Sequence, residues 1–140
     1  MGAGVSGESP CDQRVDNGMS MVFDSDVLTE EFEILGYPRF EAELSSDKPN
    51  AMIYASICDV SPDGASERVS YGVMNLTHLQ GHDKVVPLIP GEKVKAFVKL
   101  DACGHRFAAG HKIRLSLATS FWPMFWVMPE DAALTIDLKT

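Results

Sequence analysis

Lys93-Val94-Lys95-Ala96-Phe97-Val98-Lys99-Leu100 carries the fold in its parity. Val94, Ala96, Val98 and Leu100 fall on one parity; Lys93, Lys95 and Lys99 fall on the other. Successive side chains of a strand point to opposite faces, so this is a strand with one dry and one wet face. The same period recurs elsewhere. Phe40, Ala42 and Leu44 alternate with Glu41 and Glu43, and Ile113, Leu115 and Leu117 alternate with Lys112, Arg114 and Ser116. Leu134, Ile136 and Leu138 alternate with Thr135, Asp137 and Lys139. Sheets with a single solvated face are antiparallel as a rule.

Ala51 to Val60 is apolar on both parities, with Met52, Tyr54 and Cys58 against Ile53 and Ile57. That predicts a strand covered on both sides. Arg68 to Asn75 reads as its antiparallel partner, joined through the turn Ser61-Pro62-Asp63-Gly64. There Pro fixes φ and Gly permits the left-handed region. Pro90-Gly91 and Ala109-Gly110 punctuate the later strands in the same way. Val27, Leu28, Phe32 and Leu35 fit a helical stripe, whereas Phe32 and Ile34 fit a strand. The closely following Gly36-Tyr37-Pro38 favours the strand. Short strands with turn signals at roughly 10-residue spacing predict an all-β sandwich.

A chain of 140 residues makes one domain and buries about two thirds of its unfolded surface. Residues 1–11, rich in Gly and Ser, read as a flexible arm and residues 12–140 as the domain. Twenty acids against 12 bases leave a net charge of −8, which excludes a non-specific nucleic-acid binder and disfavours an anionic membrane surface. No apolar run reaches the ~20 residues of a membrane span, and residues 1–10 show no secretory pattern. Cys11, Cys58 and Cys103 are odd in number and lack metal-type spacing. Cys58 reads as a buried free thiol. A reducing, cytoplasmic location is expected.

Catalytic motifs are missing. Gly4-Val5-Ser6-Gly7-Glu8 is the nearest thing to a nucleophile elbow, but Glu8 stands where the second glycine belongs. There is no phosphate loop and no His-Glu-x-x-His zinc helix. His78 and His82 read as members of an exposed loop rather than metal ligands. Asp59-Val60-Ser61-Pro62-Asp63-Gly64 resembles the start of a calcium loop. Position three is Ser61, however, and position twelve is Ser70, which cannot supply a bidentate carboxylate. A hairpin turn is the better reading. No cofactor is expected.

Phe121-Trp122-Pro123-Met124-Phe125-Trp126-Val127-Met128-Pro129 holds both tryptophans of the chain together with two prolines, Pro123 and Pro129. The prolines exclude a long central strand. Three readings stand open: a cap on the end of the sandwich, a docking surface, or a sugar-stacking platform. Aromatics and Met concentrate at interface cores, which makes Phe121, Trp122, Met124, Phe125, Trp126 and Met128 candidate docking residues.

A family resemblance rests on ordered motifs. Asp12-Gln13-Arg14, Phe23-Asp24-Ser25 with Leu28, and Glu33-Ile34-Leu35-Gly36 open it. Cys58-Asp59-Val60-Ser61-Pro62-Asp63-Gly64, Ser70-Tyr71-Gly72-Val73 and Asn75-Leu76-Thr77-His78 continue it. Pro87-Leu88-Ile89-Pro90-Gly91-Glu92, Phe107-Ala108-Ala109-Gly110-His111-Lys112-Ile113-Arg114-Leu115 and Trp122-Pro123 complete it. Together they resemble the C-terminal, non-catalytic domain of the X-Pro dipeptidyl-peptidase and cocaine-esterase-like (CocE/NonD) serine hydrolases. Lys112 stands where that pattern usually has Arg. The resemblance implies a jelly-roll β-sandwich of the galactose-binding-like type. It also implies a partner, the α/β-hydrolase catalytic domain that carries the Ser-His-Asp triad, for which this chain has no matching positions. The chain is therefore expected to be non-catalytic: an accessory domain that packs on a hydrolase of amide or ester bonds and helps shape its substrate entrance. A carbohydrate- or small-ligand-binding module is the alternative, and self-association of the isolated domain a further expectation.

Overall fold

The computed structural model describes residues 12–138. The arm expected at 1–11, with Cys11 and the Gly4 to Glu8 run, lies outside the described residues. A short helix α1 (Arg14–Gly18) is followed by strands β1 (Met21–Asp24), β2 (Phe32–Gly36), β3 (Arg39–Ser46), β4 (Met52–Val60) and β5 (Ser66–Asn75). After a 3-10 turn (Leu76–His78) come β6 (Val94–Lys99), β7 (Cys103–Phe107), β8 (Lys112–Ala118) and β9 (Leu134–Ile136). A four-stranded sheet runs β1-β8-β4-β5, a three-stranded sheet β6-β3-β9, and β2 pairs with β7 as a ribbon. Every pairing is antiparallel.

The core lies between the two larger sheets, making a β-sandwich. Leu44, Ala96 and Val98 face Ile53, Ala55 and Leu117 across it, with Leu76, Leu88 and Leu100 closing its ends. The parity of β6 is as expected: Ala96 and Val98 are wholly buried, whereas Phe97 turns outward beneath the Arg39 guanidinium, 4.7 Å from its ring. β4 is buried along most of its length because it is central, with β8 and β5 on its two flanks. Ile53, Ala55 and Ile57 meet the core, and Tyr54, Ser56 and Cys58 face the other side. That other side is covered by α1 and the 120–122 segment.

Two close approaches shape the layers. The β4–β5 register shifts between Ile57 and Cys58, which pair with Ser70 and Arg68, leaving Val69 as the extra residue of a bulge. At Gly72 the sheets come so near that a Cβ would lie 2.3 Å from the Lys99 carbonyl oxygen. Only glycine fits there.

The segment 27–35 resolves toward the strand. Phe32 to Gly36 pair with β7, and Val27 and Leu28 precede them in irregular backbone tied to the β8 lead-in by Leu28 N–H to His111 O. Leu138 lies past the end of β9 and is exposed. Among the described residues, no helix is long and apolar enough to cross a membrane.

Candidate functional site

The 121–128 segment follows β8 as irregular backbone, consistent with Pro123 inside it and Pro129 just after it, and the Phe125 N–H closes a turn on the Phe121 carbonyl at 2.9 Å. Its side chains divide into two groups. Phe121 turns inward and stacks on Tyr54, with ring centroids 4.2 Å apart and planes 19° from parallel. Tyr71 lies 5.3 Å from Phe121, and the buried Arg68 guanidinium sits 4.7 Å above Tyr71 and 5.6 Å from Phe121. A delocalised cation over these ring faces is attracted by their quadrupoles. Burial pushes the Tyr54 phenol up from its ordinary range, so it stays protonated. Met124, Phe125 and Met128 are half-buried. Trp122 and Trp126 point the other way, 63% and 81% exposed, and meet edge to face at 5.9 Å. Val127 is exposed beside them.

Next to Trp122, α1 and β4 enclose a cleft of about 280 Å3. Ser56 and Ser116, opposite each other across β4 and β8, are among its lining residues and buried. Asn17 lines it from α1 and donates from Nδ2 to the Ser66 hydroxyl at 2.8 Å. No sequence pattern singled out this cleft, since its residues come from positions 13–20, 54–56 and 116–122.

Asp59 is also placed unexpectedly. Its carboxylate is nearly buried and accepts from His105 Nε2 at 2.8 Å and His111 Nδ1 at 2.7 Å. It thus joins β4 to β7 and to the residue before β8. Asp63 is not beside it as a ligand partner. It accepts from the Ser61 hydroxyl and the Ala65 N–H, which lowers its pKa, in a turn whose Gly64 has φ +86°. The turn connects Val60 to Ser66, the last rung of the β4–β5 hairpin. His78 and His82 are closer than a loose loop demands, with their Nδ1 atoms 3.2 Å apart. Among the described residues, no group of three or more His, Cys, Asp or Glu is arranged to hold a metal. Cys58 is buried, and burial pushes its thiol up and keeps it unreactive.

The family described as the X-Pro dipeptidyl-peptidase C-terminal non-catalytic domain matches residues 2–140. The chain belongs to that family. Among relatives of this non-catalytic domain is the cocaine esterase of Rhodococcus sp. (strain MB1 Bresler), 24% identical over 118 residues. That match takes in 83% of this chain but 21% of the esterase. Two solved structures superpose with a TM-score of 0.82. An aminopeptidase from a marine-sediment Thaumarchaeota archaeon is 22% identical, covering 86% of this chain and 21% of its own. An alpha-amino acid ester hydrolase is 20% identical, covering 91% and 25%. A CocE/NonD family hydrolase from Staphylococcus aureus matches at 0.67 and 17% identity, covering 72% and 22%. At these identities the likeness concerns the fold. The chain spans about a fifth of the curated relative's length.

Proposed function

We propose that this chain is the accessory jelly-roll domain of a serine hydrolase of amide or ester bonds, docked on an α/β-hydrolase catalytic domain through the 121–128 segment and helping to shape its substrate entrance. Exposure of the paired Trp122 and Trp126 carries the reading. Large aromatics are the costliest side chains to leave in water and the most frequent anchors of interfaces. Leaving about 300 Å2 of apolar surface wet forgoes roughly 7 kcal/mol. That matches the whole stability of many domains, about 5–15 kcal/mol. The match to a non-catalytic family and the small share of each relative that the chain covers support a partner elsewhere in a longer protein.

Sedimentation of the isolated chain tests the reading together with its melting curve. The wild type should self-associate, and Trp122→Ser with Trp126→Ser should reduce association while leaving Tm within about 2 °C, as surface changes do. A monodisperse wild type whose double variant unfolds would make the segment core.

A further inference from the structure

The short helix α1 and the residues that flank it are amphipathic in the reverse of the usual sense. Gln13 and Asn17, four residues apart and so on one side, are buried, while Val15 and Met19, also four apart, are 75% and 76% exposed. A helix packed on a sheet ordinarily turns its apolar side inward. Here the inward side is polar because it is tied to the start of β5. The Gln13 N–H donates to the Ser66 carbonyl at 2.7 Å, and Asn17 Nδ2 donates to the Ser66 hydroxyl at 2.8 Å. The Ser66 N–H in turn donates to the Asp12 carboxylate at 3.3 Å. These bonds set which way the helix faces, so the fold itself holds Val15 and Met19 in water.

Their side of the helix continues the exposed tryptophans. Met19 and Trp122 line the same cleft, and Trp126 meets Trp122 edge to face. Val22 of β1 is exposed and pairs with Ser116, which lines that cleft too. All five apolar side chains therefore gather over the face of the β1-β8-β4-β5 sheet that points away from the core. Apolar side chains scattered singly over a surface need no partner, whereas a contiguous set marks an interaction site. The position of α1 in the chain indicates the occupant. In a C-terminal domain the remainder of the protein precedes it, and the match covers only 21% of the esterase relative. Helix α1 is the first described element, so the chain from that remainder arrives at this face. We propose that Val15, Met19 and Val22 extend the docking surface of the tryptophans, one catalytic domain covering α1, β1 and the 121–126 segment together. The proposal rests on the accessory-domain reading above.

Two experiments test it. In the first, dilute hydrogen peroxide oxidises the methionines and mass spectrometry follows each one, since sulfoxide formation tracks exposure. Met19 should oxidise about tenfold or more slowly in the full-length parent than in the dilute 140-residue chain, with buried Met52 slow in both. Equal Met19 rates, with residues 120–126 protected from hydrogen exchange in the parent, would overturn the inference and leave the docking reading standing. Equal rates with no such protection would overturn both. Slower Met19 oxidation without protection of 120–126 would place the helix and the tryptophans on different surfaces and refute the single face. Slowing that appears only as the isolated chain is concentrated would make a second copy the occupant, against the proposal. In the second experiment, Val15→Glu should leave the Tm of the isolated chain within about 2 °C, as exposed changes do. In the parent the same variant should speed hydrogen exchange of residues 120–126 about tenfold or more, because closing the contact would bury an unpaired carboxylate. Unchanged exchange in that variant would also overturn the inference.

Discussion

Replacing Gly72 by alanine puts one methyl group against backbone that cannot rotate away. The new Cβ would sit 2.3 Å from the Lys99 carbonyl oxygen, 3.0 Å from its carbon and 3.1 Å from the Leu100 Cα. Restoring ordinary contact requires β5 and β6 to part by about 1 Å, and overpacking of this kind costs typically 1–3 kcal/mol. The shift also strains the Asp101 N–H to Tyr71 O bond, 2.9 Å long and one residue away, which adds about 1 kcal/mol. A total of about 2–4 kcal/mol lowers Tm by roughly 6–15 °C in a domain of this size. Thermal unfolding followed by circular dichroism measures it, with urea unfolding to check that the m-value is unchanged. Gly18→Ala is the control: a Cβ there meets nothing within 4 Å, so stability should hold or rise slightly. A Gly72→Ala protein melting within 2 °C of wild type would refute the close approach of the two sheets.

Three further outcomes are expected. Asp59→Ala strips the shared acceptor from His105 and His111 and should cost about 2–4 kcal/mol by urea unfolding, since bonds to a charged group are worth ~1.5–3 kcal/mol each and both rings are partly exposed. Arg114, which donates twice to Asp24 at 2.6 and 2.8 Å, holds that carboxyl below the usual range. The stability it contributes is complete above the unfolded carboxylate value of about 3.9 and is lost as pH falls through the lower folded value. Acid titration of unfolding should therefore be shallower for Asp24→Asn below about pH 4. Finally, the purified chain should turn over neither p-nitrophenyl esters nor X-Pro dipeptide anilides; saturable turnover blocked by a serine-directed inhibitor would contradict the accessory role.

The strands were legible where the two faces of a sheet meet different surroundings. Val94 to Lys99 alternates because Ala96 and Val98 enter the core while Lys95 and Lys99 meet water. β4 was legible for the opposite reason: residues of both parities are buried. The short helix α1 has no such signal. Its five residues carry no apolar stripe, and it is held by Gln13 N–H to Ser66 O at 2.7 Å and by Asn17 to the Ser66 hydroxyl. β7 was hidden because Cys103 to Phe107 alternates exposed and covered positions with His and Arg among them rather than a run of aliphatics. The Asp59 clamp joins residues 46 and 52 positions apart, beyond any local motif. In the aromatic segment, composition marked the region but could not divide it. Phe121 and Trp122 are neighbours of similar hydrophobicity, and only the position of Tyr54 beneath one of them sends it inward.

Hydrogen exchange at residues 120–131, compared between this isolated chain and the full-length parent, tests the docking claim most directly. The account predicts rapid exchange of these amides in the isolated chain, where Trp122 and Trp126 face water, and strong protection in the parent, where the catalytic domain covers them. Equal exchange in the two proteins would show that nothing covers the segment, and the docking account would fall.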